Sequence, residues 1–320
     1  MEELLRIEDL QVAFSTEEGP VEALDGVELT IHQGTFHGLI GETGCGKSVT
    51  GQTIMGLLDN NARIKKGRIM YREQDLLKLS SRQMERQIRG NEIAMIFQDP
   101  GSSLNPLFTI KNQIEEAIKM YRPVPRERRE GLILEALQQV KLPDARNLMH
   151  RYPHQLSGGM KQRVMIAMML ACNPRLLIAD EPTTALDVSI QAQFIKVLKD
   201  LKDNLDLTIL YITHDLAVIS ELCDYVSVMY AGRIVENLSM YDLFRDPCHP
   251  YTEKLVNSVL GVSTRLDQLE EIPGSVPRLI NPPPGCRFHP RCSEVLPVCS
   301  QEVPLLKEVK GLHSVACHRR

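Results

Sequence analysis

Gly41-Glu42-Thr43-Gly44-Cys45-Gly46-Lys47-Ser48 lies between a short apolar run, Phe36-His37-Gly38-Leu39-Ile40, and a segment with helical apolar spacing, Val49 to Leu58. A buried strand, a glycine-rich loop and the start of a helix, in that order, make an anion cradle. Glycine lets the backbone turn its N–H groups inward on a curve that bulky residues could not form, and the positive end of the helix dipole faces the same point. Lys47 would place its ammonium between the terminal phosphates of a bound polyphosphate, and Ser48 would offer its hydroxyl to Mg²⁺. Gly41 to Ser48, with Val49 at the helix start, therefore read as a phosphate-binding loop. The fold class that follows is α/β, built on a P-loop core.

Upstream, Leu10-Gln11-Val12-Ala13-Phe14 and Val27-Glu28-Leu29-Thr30-Ile31 alternate in part and predict an antiparallel β layer. Phe14 is either an aromatic that returns to the loop and stacks on a nucleotide base or a core residue of its strand, and the pattern leaves both open. Downstream, Gly67 to Tyr71 and Ile93 to Phe97 read as strands, the second ending at Gln98-Asp99-Pro100. A polar amide at the carboxyl end of a buried strand is well placed to reach a ligand. From Thr109 to about His150 the sequence turns charged and helix-favouring. Its Arg126-Glu127-Arg128-Arg129 is read as a solvated face rather than a nucleic-acid patch, because glutamates interleave the arginines.

Next, Leu156-Ser157-Gly158-Gly159-Met160 opens an apolar helix that runs to Cys172, with Ser157 able to cap it or to donate to a phosphate. Leu176 to Ala179 is a short buried strand ending in Asp180-Glu181-Pro182. Two adjacent carboxylates there are costly without a cation, which nucleotide-bound magnesium would supply: Asp180 would hold the metal through water and Glu181 would polarise the attacking water. Ala185-Leu186-Asp187 starts a helix to about Asp203, and Thr208 to Thr213 forms another buried strand, directly followed by His214. That histidine either contacts a γ-phosphate or sits at the surface as a cap.

Composition sets bounds. A chain of 320 residues is long enough for a full core and a second, small unit. The net charge of −4 gives no basic excess, so no nucleic-acid partner is expected. The acidic start, Met1-Glu2-Glu3, stands where a secretory signal would be basic, and the longest apolar run, Val164 to Cys172, is too short to span a bilayer. The chain is therefore expected in the cytoplasm, meeting a membrane only through partners.

Together these motifs, in their order and spacing, resemble the nucleotide-binding subunit of an ATP-binding-cassette transporter over about Leu4 to Val256. The resemblance implies that Gly41, Thr43, Gly44, Cys45, Gly46, Lys47, Ser48 and Val49 bind ATP, with Phe14 stacking on adenine. It implies Mg²⁺ on Ser48, Gln98 and Asp180, and catalysis by Glu181, Gln98 and His214. It further implies that Leu156, Ser157, Gly158, Gly159 and Asp187 contact ATP held by a second, identical or homologous ATPase subunit in a head-to-tail dimer. The implied architecture is a nucleotide-binding domain over 1–256, with a helical subdomain at about 99–172, and a C-terminal extension over 257–320. Gln98-Asp99-Pro100-Gly101-Ser102-Ser103-Leu104-Asn105-Pro106, Cys248-His249-Pro250-Tyr251-Thr252, Ile272 to Pro277 and Gly285 to Cys292 are similar to the oligopeptide/dipeptide importer branch, features that nickel importers share. That branch implies two membrane-spanning permease subunits, an extracytoplasmic substrate-binding protein acting indirectly, and a place on the cytoplasmic face of the membrane. A soluble cassette acting on ribosomes or DNA fits less well, since the chain has one phosphate loop and no sustained heptads.

The last stretch carries Cys286-x5-Cys292-x6-Cys299-x17-Cys317 in a small lobe with little apolar content, a lobe that needs a staple. Zinc sites usually bring cysteines two to four residues apart, whereas wider loops suit an iron–sulfur cube. Some peptide-importer ATPases carry a [4Fe–4S] cluster on a similar tail. The expectation is [4Fe–4S], with Zn²⁺, disulfides or free thiols as alternatives and His289, His313 and His318 as substitute ligands. In the phosphate loop, Cys45 beside Lys47 is either a low-pKa, reactive thiol or simply a small loop residue.

Overall fold

Alternating apolar residues make the first 32 residues a long hairpin: β1 (Glu3–Thr16) pairs antiparallel with β2 (Gly19–His32). Leu5 and Ile7 bury one face of β1, and Leu10 and Val12 continue it. The alternation changes phase between them because Asp9, at φ 44°, bulges the strand where the register shifts. In the computed structural model, which describes residues 1–98, 104–122, 124–183, 188–204, 207–260, 272 and 274–320, the chain divides into two compact units. One joins Met1–Lys78 to Ile212–Arg320, and the other is Leu79–Tyr211.

In the first unit β4 (Ala62–Tyr71) pairs with β1, and β5 (Gln74–Asp75) completes a four-stranded antiparallel sheet of order β2-β1-β4-β5. This is the expected antiparallel layer, with longer strands than the short runs predict. β3 (Phe36–Ile40) is buried along its whole length, as a central parallel strand must be, and leads into α1 (Lys47–Met55).

The second unit holds β6 (Ile93–Ile96) parallel to β7 (Leu176–Asp180), with β8 (Thr208–Thr213), whose last two residues belong to the first unit, beside β7. Every residue of the three is buried. Around them, α2 (Ile110–Tyr121) buries Ile110, Ile114 and Ile118, one stripe at a spacing of four, and α3 (Arg126–Gln139) buries Ile133, Ala136 and Leu137. Arg126 and Arg128 at the start of α3 are exposed, while half-buried Arg129 pairs with Glu115 at 3.5 Å and Lys111 pairs with Glu130. α4 (Gly158–Ala171) and α5 (Val188–Asn204) are the other long helices of this unit.

The chain returns to the first unit through α6 (Leu216–Leu222) and β9 (Tyr225–Tyr230), which runs parallel to β3; β10 (Arg233–Ser239) follows antiparallel to β9. After α7 (Pro250–Leu260), a polar hairpin, β11 (Lys307–Lys310) and β12 (His313–Val315), adds to the edge of β10, with Val315 opposite Glu236. The C-terminal stretch is thus tied by strand pairing into the unit that carries the phosphate loop. Among the described residues, no helix is long and apolar enough to cross a membrane.

Candidate nucleotide site

β3 delivers Gly41 to a place where only glycine fits: a Cβ there would lie 2.1 Å from the Met229 carbonyl oxygen. Gly46, at φ 110°, ends the loop as the residue capping α1. Inside the curve lies the Lys47 side chain, 3% exposed, whose ammonium donates to the Gly41 carbonyl at 2.8 Å and the Glu42 carbonyl at 3.1 Å. Thr43 and Gly44 form an exposed tip, while Ser48 and Val49 are half-buried at the helix start. The loop therefore brings backbone, a cation and a hydroxyl to one helix N-terminus. Phe14 is half-buried on β1, opposite Val21 and Ala62.

The reactive-thiol reading of Cys45 is overturned. Its side chain is fully buried, and burial pushes its pKa up despite the opposing pull of Lys47. Cys45 is a small residue of the cradle, and its carbonyl accepts the Gly232 N–H at 2.7 Å.

Sequence reasoning missed the supports of Glu42. Its N–H donates to the Tyr251 hydroxyl at 3.0 Å, and its carboxylate takes a two-pronged bond from Arg291, at 2.6 and 3.1 Å. Burial works against the Arg291 charge, but hydrogen bonds to Glu42 and Tyr230 outweigh it and hold the guanidinium firmly protonated. The only sequence signal was Arg291 lying beside Cys292.

In the second unit β7 brings Asp180, 4% exposed, to its carboxyl end. Glu181 follows at φ 44°, a left-handed conformation that a glutamate adopts only at a cost, of the kind found at functional sites. Gln98, exposed after β6, sets its amide nitrogen 3.4 Å from a Glu181 carboxylate oxygen, so the two strand-end residues of the sequence reading do meet. Buried Gln162 of α4 donates to the Pro182 carbonyl and ties the start of that helix to the turn after Glu181. Ser157 caps α4, accepting the Met160 N–H at 3.4 Å, and stays exposed with Gly158, while Leu156 is buried and Gly159 half-buried. Gly159 must be small, since a Cβ would lie 2.6 Å from Ile190. Asp187, with Ala185 and Leu186, lies outside the described residues, as do Asp99 to Ser103 and Pro273. His214, in the first unit, is exposed between β8 and α6, and its neighbour Asp215 rather than the histidine caps α6, accepting the Ala217 N–H at 2.9 Å.

The cysteine lobe is held by short local bonds, including Cys286 N–H to Cys299 carbonyl at 2.8 Å and Glu294 N–H to Cys292 sulfur at 3.4 Å. All four of its cysteines are unbridged. Burial first, and then the neighbouring thiols Cys299, Cys292 and Cys317, push Cys286 up to about 11. Cys292 is raised by burial and, in part, by Cys317 and Cys299. Among the described residues, the one group of His, Cys, Asp and Glu ligand atoms all within 4.8 Å of each other is instead Glu236, Cys248 and His313. The three histidines expected as substitute ligands are engaged elsewhere: His289 Nδ1 with the Cys286 carbonyl at 2.8 Å, His313 Nε2 with Glu236 at 2.8 Å, and His318 Nε2 with the Glu302 carbonyl at 2.9 Å.

A strand, glycine loop and helix closing on a buried lysine, together with a carboxylate pair at the end of a parallel strand, define a P-loop nucleoside triphosphatase. Comparison with known proteins narrows the class. Residues 24–184 match the ABC transporter family model, and residues 235–299 match the oligopeptide/dipeptide transporter C-terminal region. The chain is 48% identical over 318 residues to a probable peptide ABC transporter ATP-binding protein, y4tR, of Sinorhizobium fredii, covering 99% of this chain and 95% of that one. It is 46% identical to the oligopeptide transport ATP-binding protein AppD of Bacillus subtilis, covering 99% and 97%. The dimeric post-hydrolysis structure of the ATP-binding cassette MJ0796, bound to ADP and Pi, superposes with a TM-score of 0.65 at 28% identity over 74% of this chain and 98% of that one. The chain belongs to the ABC transporter family, in its oligopeptide/dipeptide branch, as an ATP-hydrolysing subunit.

Proposed function

We propose that this chain powers the import of dipeptides or oligopeptides across the cytoplasmic membrane. The observation that carries the reading is near full-length similarity to peptide-transport ATP-binding proteins, joined to a C-terminal region of the oligopeptide/dipeptide type. The partners are a second ATPase subunit and two permease subunits, with an extracytoplasmic binding protein delivering substrate, and the chain sits peripherally on the cytoplasmic face.

In this reading Lys47 and the loop N–H groups bind the ATP phosphates, and Phe14 stacks on the adenine. Ser48, Gln98 and Asp180 hold Mg²⁺, which supplies charge neutralisation at the phosphates. Glu181 takes the proton of the attacking water, and Gln98 and His214 orient that water and the γ-phosphate. Leu156, Ser157, Gly158 and Gly159, with Asp187, act on the nucleotide held by the other subunit, which makes ATP the link between them. In proteoliposomes holding the full complex, ATP-dependent uptake of a labelled dipeptide or oligopeptide is expected. Uptake of Ni²⁺ and not of peptide would move the reading to a nickel importer, and co-purification with ribosomes in place of permeases would contradict transport altogether.

For the tail, the group proposed is a [4Fe–4S] cluster rather than zinc, on the wide spacing of its cysteines. Four unbridged thiols share one lobe, yet no three of their sulfurs are drawn as close as one small tetrahedral ion requires, with Zn–S bonds of about 2.3 Å. Anaerobically purified protein should contain iron and labile sulfide; a colourless protein with zinc alone would reject this.

A further inference from the structure

The segment Gly285 to Cys292 carries two buried arginines, each next to a lobe cysteine; Arg291 bonds the phosphate loop directly, and Arg287 bonds the residue before Gly232, which bonds the loop. Arg291, beside Cys292, grips Glu42 with both guanidinium nitrogens; it also donates to the Tyr230 hydroxyl at 3.2 Å and to the carbonyls of Ile272 at 3.2 Å and Gly274 at 3.3 Å. Its planar fork fixes the direction as well as the charge of the contact. Arg287, beside Cys286 and 3% exposed, donates to Asp25 at 2.8 Å and to the Ala231 carbonyl. The next residue, Gly232, gives its N–H to the Cys45 carbonyl at 2.7 Å, so this second route also ends on the loop.

Between the two arginines, Phe288 packs against Tyr230 and Tyr251 with ring centroids 5.1 and 5.4 Å apart, and Tyr251 is the residue that accepts the Glu42 N–H. Both polar groups of Glu42 are therefore held by side chains that this segment carries, Arg291, or packs against, Tyr251. Its backbone is held by tight local turns, His289 N–H to Cys286 carbonyl at 3.0 Å and Cys292 N–H to His289 carbonyl at 3.3 Å, and at its start by Cys286 N–H to Cys299 carbonyl at 2.8 Å and by Arg233, which donates to the Gly285 carbonyl at 2.9 Å. Cys286 and Cys292 each stand one residue from one of these guanidiniums.

We propose that Arg291 and Arg287 are positioning residues of the phosphate loop, through which the loading of the four-cysteine lobe sets the affinity for ATP. The proposal rests on the ATP and metal readings given above. It deepens them by giving the lobe a role in regulating the site.

The test is equilibrium titration of the full chain, purified anaerobically, with a fluorescent ATP analogue, before and after chelation strips the lobe. Arg291→Ala should weaken binding about tenfold, a typical coupling for one pair of this kind, and Arg291→Lys should recover part of the loss. In the membrane complex, KM for ATP should rise far more than kcat falls. Stripping should weaken the wild type by a similar factor and leave Arg291→Ala little changed. Glu42→Gln, which removes the acceptor charge without touching the lobe, should behave like Arg291→Ala and be non-additive with it. Wild-type affinity in both variants, or equal losses on stripping in wild type and Arg291→Ala, would overturn the proposal. A chain that holds no metal when isolated would sink the tail reading and with it the loading half, while the Arg291→Ala comparison still decides the brace. A wild type that binds no ATP would defeat both the parent reading and this one.

Discussion

At the scale of single residues, the phosphate loop shows how burial decides between readings that charge leaves open. Cys45 and Lys47 are neighbours, and the ammonium alone would activate the thiol. Complete burial works in the opposite sense and wins, because a thiolate loses more solvation there than one cation returns. Iodoacetamide should leave Cys45 unmodified in the folded protein with or without ATP, as read by peptide mass spectrometry; labelling that ATP prevents would restore the reactive reading. Glu181 was legible as a strand-end carboxylate after the apolar run Leu176 to Ala179. Its left-handed φ was not, since nothing in a glutamate's local sequence announces it. The Arg291–Glu42 pair joins residues far apart in the chain, and such a contact leaves no periodic trace.

At the scale of elements, the parallel strands were easy to read because continuous burial demands continuous apolar runs, as in β3, β7 and β8. The terminal hairpin was not: every residue of β11 is exposed, and its sequence carries no alternation to find. What docks β12 is polar. Glu236, fully buried in the middle of β10, accepts the N–H groups of Cys248 at 2.6 Å and His249 at 3.0 Å, and His313 Nε2 at 2.8 Å. The hydrogen bond to Glu236 raises the His313 pKa against the effect of burial, and Asp242 and Asp246 add to the rise. A folded-state pKa above the unfolded value of about 6.5 means that this contribution to stability is complete below that value and is lost as pH rises through the folded one. Thermal melts should therefore show stability from this contact declining as the pH rises above about 6.5, and His313→Gln should flatten that part of the profile. An unchanged profile in His313→Gln would assign the pH dependence elsewhere.

At the scale of the whole molecule, ATP-binding groups, a helix start with exposed Ser157 and Gly158, and a C-terminal region of the peptide-importer type occur in one chain. In the proposed reading the exposed Ser157 start of a second chain completes the nucleotide site, and the central claim is that hydrolysis across such a pairing drives import. The most direct test replaces the proposed general base. In the membrane complex assembled with all its subunits, Glu181→Gln should lower ATP turnover by at least about 100-fold, while ATP still binds within about threefold of wild type and holds the ATPase dimer closed. Near-normal hydrolysis by that variant would contradict the account.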